Sequence, residues 1–258
     1  MGLAGISYDT EAQLHNFAER KGIHFPLLSD PNSKTIRELG ILNETIEKAN
    51  YAFGVPHPGS FVLNSSGVIV AKYFEDDYRE RYTAADLLMH QFGVVPRETK
   101  SEVEGKQLKL TAKASNAVVT VGQRIALTLD IELKPNMHVY APGVEGYIPI
   151  DWTMKESAAT ATHEVSFPKS TMLHLPAIDE MVPVFTGRFR LSRDVTIAAA
   201  DKVKPLADAS GRFIVEGTLR YQACDDRVCY VPQNLPVKWT LQFHDLDRER
   251  VPAELQHK

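Results

Sequence analysis

The sequence predicts an α/β domain followed by an all-β sandwich. Three observations predict this division. Strand and helix signals interleave over the first third of the chain. Runs that alternate with period two dominate the remainder. A polar, charged and weakly patterned stretch, 94–107, lies between them. The first domain is expected over 1–95, a linker over 96–106, the sandwich over 107–245 and a mobile polar tail over 246–258.

In the first domain Leu3 to Ser7 is a short apolar run, read as a buried strand. Asp9 or Thr10 caps a helix to about Arg20, with Leu14, Phe17 and Ala18 on one face. His24 to Leu28 reads as a second strand. Ser29-Asp30-Pro31 starts a helix carrying Ile36 and Leu39 at helical spacing, and Gly40 stops it. Ser60–Leu63 and Gly67–Tyr73 flank Asn64-Ser65-Ser66, a hairpin signal, and Thr83 opens a helix through about Phe92.

In the second domain the alternating runs are Val118–Val121, Arg124–Ile131, Phe189–Leu191, Val195–Ile197, Phe213–Tyr221 and Val237–Phe243. Gly, Pro and Asp turns separate them, and helix signals are few, as a sandwich requires.

Composition narrows the function. Among 258 residues, 43% are apolar and 24% charged, which a packed core accommodates and a disordered chain does not. The net charge of −4 supplies no basic field for nucleic acid. No apolar run approaches the ~18 residues of a membrane span, and the N-terminus lacks the charged and apolar regions of a signal peptide. Ser60, Ser65 and Ser66 sit in a hairpin without a nucleophile-elbow glycine pattern, so hydrolase chemistry has little support.

The two cysteines are Cys224 and Cys229, with four residues between them, flanked by two β-like runs. In a hairpin they would oppose each other at the mouth of the turn, at a Cα separation of ~4.5 Å that a disulfide can bridge. Several readings of the pair are open: a redox-active disulfide, a structural staple, unpaired thiols, or half of a metal site with His138, His163 or His174 as remote ligands. A staple of this size is weak, since a six-residue ring contributes about 2 kcal/mol in the loop-entropy model. Asp225 and Asp226 disfavour a thiolate and Arg227 favours it, so exchange with a matched partner is expected rather than unusual acidity.

The segment from Tyr221 to Pro232 resembles the signature of the N-terminal periplasmic domain of the thiol:disulfide interchange family DsbD. Pro135 to Pro142, Phe167-Pro168, and the stretch from Leu175 through Asp179-Glu180 to Phe185-Thr186-Gly187-Arg188 follow the same family's order. The resemblance covers about 105–245. It implies an immunoglobulin-like sandwich whose cysteine pair takes electrons from a membrane-embedded donor and passes them to thioredoxin-fold proteins. Cys224 is then the attacking cysteine and Cys229 the resolving one. Phe185 is the candidate aromatic cap over the disulfide, and His138, Tyr140, Tyr221, Asp225 and Asp226 line the site. No metal or organic cofactor is needed. The membrane donor is expected on another chain, and the periplasmic location follows from the resemblance alone.

Gly5 to Asp9, Phe25 to Pro31, His57 to Leu63 and Gly67-Val68-Ile69 resemble the C-terminal part of the peroxiredoxin-like AhpC/TSA (redoxin) family, implying a partial thioredoxin-like fold. Pro58 is the candidate cis-proline of that family, with Pro56 as the alternative. Residues 1–97 contain no cysteine, so no peroxidase activity is expected from this domain. A chain that opens on a buried-type strand favours Met1 as an internal methionine of a longer protein. The alternative is a genuine remnant used for docking; if the missing strand and helix are truly absent, uncovered sheet would bring poor solubility or self-association.

Two functions compete. The first is a thiol-disulfide exchange protein of the bacterial cell envelope. The second is a non-catalytic binding module with a structural disulfide, using Tyr140, Tyr147, Trp152, Tyr221 and Tyr230 on its surface.

Overall fold

The structure, a computed structural model, describes residues 2–50, 52–74, 79–94, 100–175, 179–247, 249 and 251–256. They divide into two compact units, Met1–Tyr78 with Asp247–Lys258, and Arg79–Leu246.

The first unit has strands β1 (Gly5–Ser7) and β2 (Leu27–Ser29), helices α1 (Glu11–Lys21) and α2 (Lys34–Glu38), and strands β3 (Gly59–Leu63) and β4 (Ile69–Phe74). Thr10, not Asp9, caps α1. Its hydroxyl accepts from Gln13 N, and the Gln13 side chain accepts from Thr10 N, while Gly22 at φ 61° ends the helix. The β3–β4 hairpin forms as expected. The Asn64 side chain accepts from Ser66 N and Val68 N, both at 3.0 Å, and Gly67 takes φ 76°. β1 pairs with β2 in parallel, and β3–β4 forms a separate two-stranded sheet.

Two expectations for this unit are corrected. The His57–Pro58 peptide is trans, as is Val55–Pro56, so neither is the cis-proline. The expected mobile tail instead has anchored residues: Gln13 Nε2 donates to Leu255 O at 2.6 Å, and Arg20 Nη1 to Glu249 O at 3.1 Å.

The second unit opens with β5 (Arg81–Tyr82) and α3 (Ala84–Phe92), which therefore lie with the sandwich rather than with residues 1–78. Thr83 caps α3 and Met89 is buried. Asp194 bonds His90, and Arg190 Nη1 donates to Gly93 O, so two strand residues hold the helix. The linker expected over 96–106 lies partly outside the described residues. Its remainder contains β6 (Lys100–Glu104), where Val103 packs on the core and supplies the reason for pairing.

Next come β7 (Leu108–Ala114), β8 (Val118–Val119), β9 (Gln123–Leu133), β10 (His138–Tyr140), β11 (Asp151–Met154), β12 (Thr160–Ser166), β13 (Thr171–Leu175) and β14 (Glu180–Thr186). The second unit ends with β15 (Arg188–Ile197), the short helix α4 (Ala200–Val203), β16 (Arg212–Tyr221), β17 (Ala223–Cys224) and β18 (Gln233–Phe243). One sheet runs β12-β15-β9-β7-β6, with β5 added to β9. A second runs β11-β16-β18-β8. Leu127, Leu129 and Leu191 belong to the same buried cluster as Trp152, Phe213, Leu219 and Trp239. β16 alternates buried and exposed residues along its length, the period-two pattern of a strand with one wet face.

A third sheet, β13-β14-β10-β17, forms by strands leaving the other two. Gly187, at φ 60°, is the single residue between β14 and β15, which belong to different sheets. Gln222 is likewise the only residue between β16 and β17. The fold class holds: an α/β segment precedes an all-β sandwich.

Candidate redox site

Cys224 and Cys229 form a disulfide across an antiparallel bridge, with Cα atoms 4.0 Å apart. Asp225 N donates to Val228 O at 3.0 Å, and Tyr230 N to Ala223 O at 2.9 Å, closing the hairpin. The Asp225 side chain builds the turn. Its Oδ1 accepts from Arg227 N and Val228 N, both at 2.8 Å, and its Oδ2 accepts from Tyr230 OH at 2.9 Å. The backbone bonds from Val228 and Arg227, then the Tyr230 bond, hold its carboxyl below the usual carboxylate range. Asp225 thus shapes the loop that presents the sulfurs. Asp226 is exposed on the same turn.

The two cysteines differ in access. Cys224 is 1% exposed, whereas Cys229 is exposed, with Val228 and Val231 exposed beside it. The resemblance makes Cys224 the attacking cysteine, yet it is the less accessible of the two.

The third sheet sorts its residues by parity. His138 pairs with Cys224 and Val139 with Ala223; on the other side Val139 pairs with Phe185 and Tyr140 with Val184. Side chains alternate across a strand, so Val139, Phe185 and Ala223 share one face and His138, Tyr140, Val184 and Cys224 the other. The first set lies in the main core. Tyr140, Val184 and Cys224 lie in a smaller cluster with Val182, flanked by Val144, Tyr147, Leu173 and Leu175.

This parity corrects two site expectations. Phe185 is not a cap over the disulfide. It is 4% exposed, with ring centroids 6.4 Å from Phe167 and 5.0 Å from Phe189, on the sheet face opposite Cys224. Tyr221 is not a site-lining residue either. It is fully buried in the main core and donates to Gln107 Oε1. Of the other two proposed remote ligands, His163 bonds Thr196 and His174 bonds Asp179.

Tyr140 and His138 are at the site. The Tyr140 hydroxyl lies 3.8 Å from Cys229 Sγ, and burial, with a contribution from Glu180, raises its pKa, keeping it protonated. Its ring lies 4.3 Å from that of Tyr147, whose hydroxyl donates to Glu180 Oε2 at 2.7 Å; that bond pushes Tyr147 up to about 12. His138 is 4% exposed, and burial lowers its pKa against the opposing pull of Asp226 and Asp225. Glu180, Val182 and Val184 were missed as site residues. Their alternate spacing on β14 is the signal that could have found them.

Residues 2–72 match the AhpC/TSA family, and residues 106–239 match "Thiol:disulfide interchange protein DsbD, N-terminal". The chain is similar to a putative peroxiredoxin bcp from Buchnera aphidicola subsp. Schizaphis graminum, 37% identical over 71 residues, covering 28% of this chain and 44% of that protein. It is also similar to a putative peroxiredoxin bcp from Haemophilus influenzae, 36% identical over 66 residues, covering 26% and 42%. The chain thus spans less than half the length of these curated relatives. Among solved structures, the N-terminal periplasmic domain of ScsB from Proteus mirabilis aligns at 10% identity and TM-score 0.39, covering 55% of this chain and 50% of that one. The reduced Neisseria meningitidis DsbD N-terminal domain aligns at 13% identity and TM-score 0.29, covering 58% and 97%. The match over 106–239 takes in just over half of the chain and both cysteines, so this chain belongs to the DsbD N-terminal family of thiol:disulfide interchange proteins, with an AhpC/TSA segment before it.

Proposed function

We propose that the sandwich exchanges electrons through Cys224–Cys229 with thioredoxin-fold proteins of the bacterial cell envelope. The observation that carries this reading is the asymmetric disulfide: an exposed Cys229 in a six-residue ring closed on a buried Cys224. So small a ring adds about 2 kcal/mol of loop entropy, little for a sandwich with a core this large.

The exposures favour the reverse of the roles that the resemblance assigns. An incoming thiolate reaches Cys229 Sγ, forms a bond with it, and expels Cys224 as a thiolate. A second thiol of the donor then resolves the mixed disulfide and leaves the pair reduced. Tyr140 OH is within reach to donate to the Cys229 thiolate formed at that point. Electrons then pass from Cys229 to the disulfide of an acceptor. The electron donor is a membrane-embedded partner, and the location is periplasmic; both come from the family resemblance. No described helix is long and apolar enough to cross a membrane. Residues 1–97 contain no cysteine, so the AhpC/TSA segment supplies no peroxidatic thiolate and acts as a companion to the exchange domain.

A redox titration of the full chain in glutathione buffers, read by alkylation and mass, tests the proposal. A midpoint near or above about −250 mV supports exchange; a pair still oxidised below about −300 mV is a structural staple, and the binding-module reading replaces this one.

A further inference from the structure

We propose that His138 is the proton acceptor for Cys224 when the disulfide re-forms during electron donation. This rests on the exchange reading above. Three observations converge on His138. It is the register partner of Cys224 across the β10–β17 ladder. Directly opposed side chains on one face of an antiparallel pair have Cβ atoms ~4.5–5.5 Å apart, within reach of an imidazole and a thiol. The residue is 4% exposed, and its Nε2 is buried with no hydrogen-bond partner among the described residues. A buried polar atom left without a partner calls for an explanation, and service in chemistry is one.

The surroundings suit a base. The carboxylates that act on the imidazole are Asp225 and Asp226, in the turn after β17. On its own strand the neighbour is the Tyr140 ring, edge-on at 5.6 Å between centroids, and across β14 the register partner is the uncharged Thr186. Burial, the larger effect, holds the imidazole below its ordinary 6.5, so it is neutral with a free lone pair at neutral pH.

The Cys229 thiolate attacks the disulfide of a protein acceptor, forming a mixed disulfide and releasing one acceptor thiolate. The Cys224 thiol gives its proton to His138 Nε2. The resulting thiolate attacks Cys229 Sγ, the Cys224–Cys229 bond forms, and the bond to the acceptor breaks. The acceptor's second sulfur leaves as a thiolate and is protonated. The two cysteines are oxidised and the acceptor disulfide is reduced.

The test uses the reduced full chain and glutathione disulfide, with the mixed disulfide followed by quenched mass spectrometry across pH. In the wild-type chain, resolution should titrate with a group below the imidazole's ordinary 6.5 and reach its plateau by neutral pH. In His138→Gln, formation of the mixed disulfide should be unchanged, while resolution near pH 6.5 falls about 100-fold and recovers toward a thiol's own ~8.5. A wild-type profile that rises only through the thiol range overturns the proposal without any variant. So does a His138→Gln chain that resolves at the wild-type rate. A wild-type chain that neither forms the mixed disulfide nor re-forms its own bond overturns the exchange reading, and the base with it.

Discussion

The phenolic oxygen of Tyr140 lies 3.8 Å from Sγ of Cys229, the more exposed of the two cysteines. Tyr140 is itself only 2% exposed. A buried donor thus meets an accessible sulfur at the end of the small sheet, and the ring of Tyr147 backs it.

Removing that donor should raise the Cys229 thiol pKa. A hydrogen bond to a charged group contributes ~1.5–3 kcal/mol, and a sulfur acceptor at this distance sits at the weak end. Tyr140→Phe should therefore slow attack by Cys229 on a disulfide about tenfold near neutral pH. Ultraviolet thiolate absorbance against pH, together with the exchange rate, checks this. An unchanged titration would show that the phenol does not act on the sulfur.

The unequal exposure predicts unequal trapping. Cys224→Ser leaves the accessible Cys229 without its resolving thiol and should accumulate mixed disulfides with a thioredoxin-fold protein. Cys229→Ser should accumulate few, since Cys224 is 1% exposed. Equal trapping by both variants, seen on non-reducing gels, would remove the assignment of Cys229 as the reached sulfur.

Phe185 should behave as a core residue. Phe185→Ala opens a cavity between Phe167 and Phe189 and should cost about 3–5 kcal/mol in urea unfolding. The midpoint potential of the folded protein should barely move, because the side chain lies on the other face of the sheet from Cys224. A large shift in potential with intact stability would restore Phe185 as a cap.

His90 links α3 to the sandwich through Asp194, at 3.0 Å, and also meets Asp86 of its own helix at 3.4 Å. The hydrogen bond that His90 donates to Asp194 raises its pKa, burial opposes this, and the charges of Asp194 and Asp86 add to the rise. Because the folded pKa lies above the ordinary 6.5, the stabilisation is fully present below that value. It is lost as pH rises through the folded pKa. His90→Gln should lower the thermal midpoint of the second unit under mildly acidic conditions and have little effect under alkaline ones. The same loss at both ends of the range would refute the charge linkage.

Much of this was legible in the chain. The alternation in Phe213–Tyr221 and Val237–Phe243 marked long strands, because apolar side chains on one face have only the facing sheet to pack against. The hairpin around Asn64 was legible because turn chemistry is local. Less legible was α3. Its cap and periodicity were plain, but the sequence does not tell which domain a helix docks on, and the bonds from Asp194 and Arg190 come from a strand a hundred residues away. The anchored C-terminal residues escaped for the same reason.

The sequence by itself determined the cysteine spacing, the turn between them and the class of fold. Each depends on residues close together in the chain, whose preferences act before any long-range contact exists. Only the tertiary structure decided which sulfur is reachable, that Phe185 and Tyr221 point into the core, and that His138 and Tyr140 share the cysteines' face. Those outcomes depend on register. A one-residue shift between β10 and β17 would send every side chain on that strand to the opposite face. The register is set by packing of Val139, Phe185 and Ala223 into the common core, a choice made by distant parts of the chain acting together.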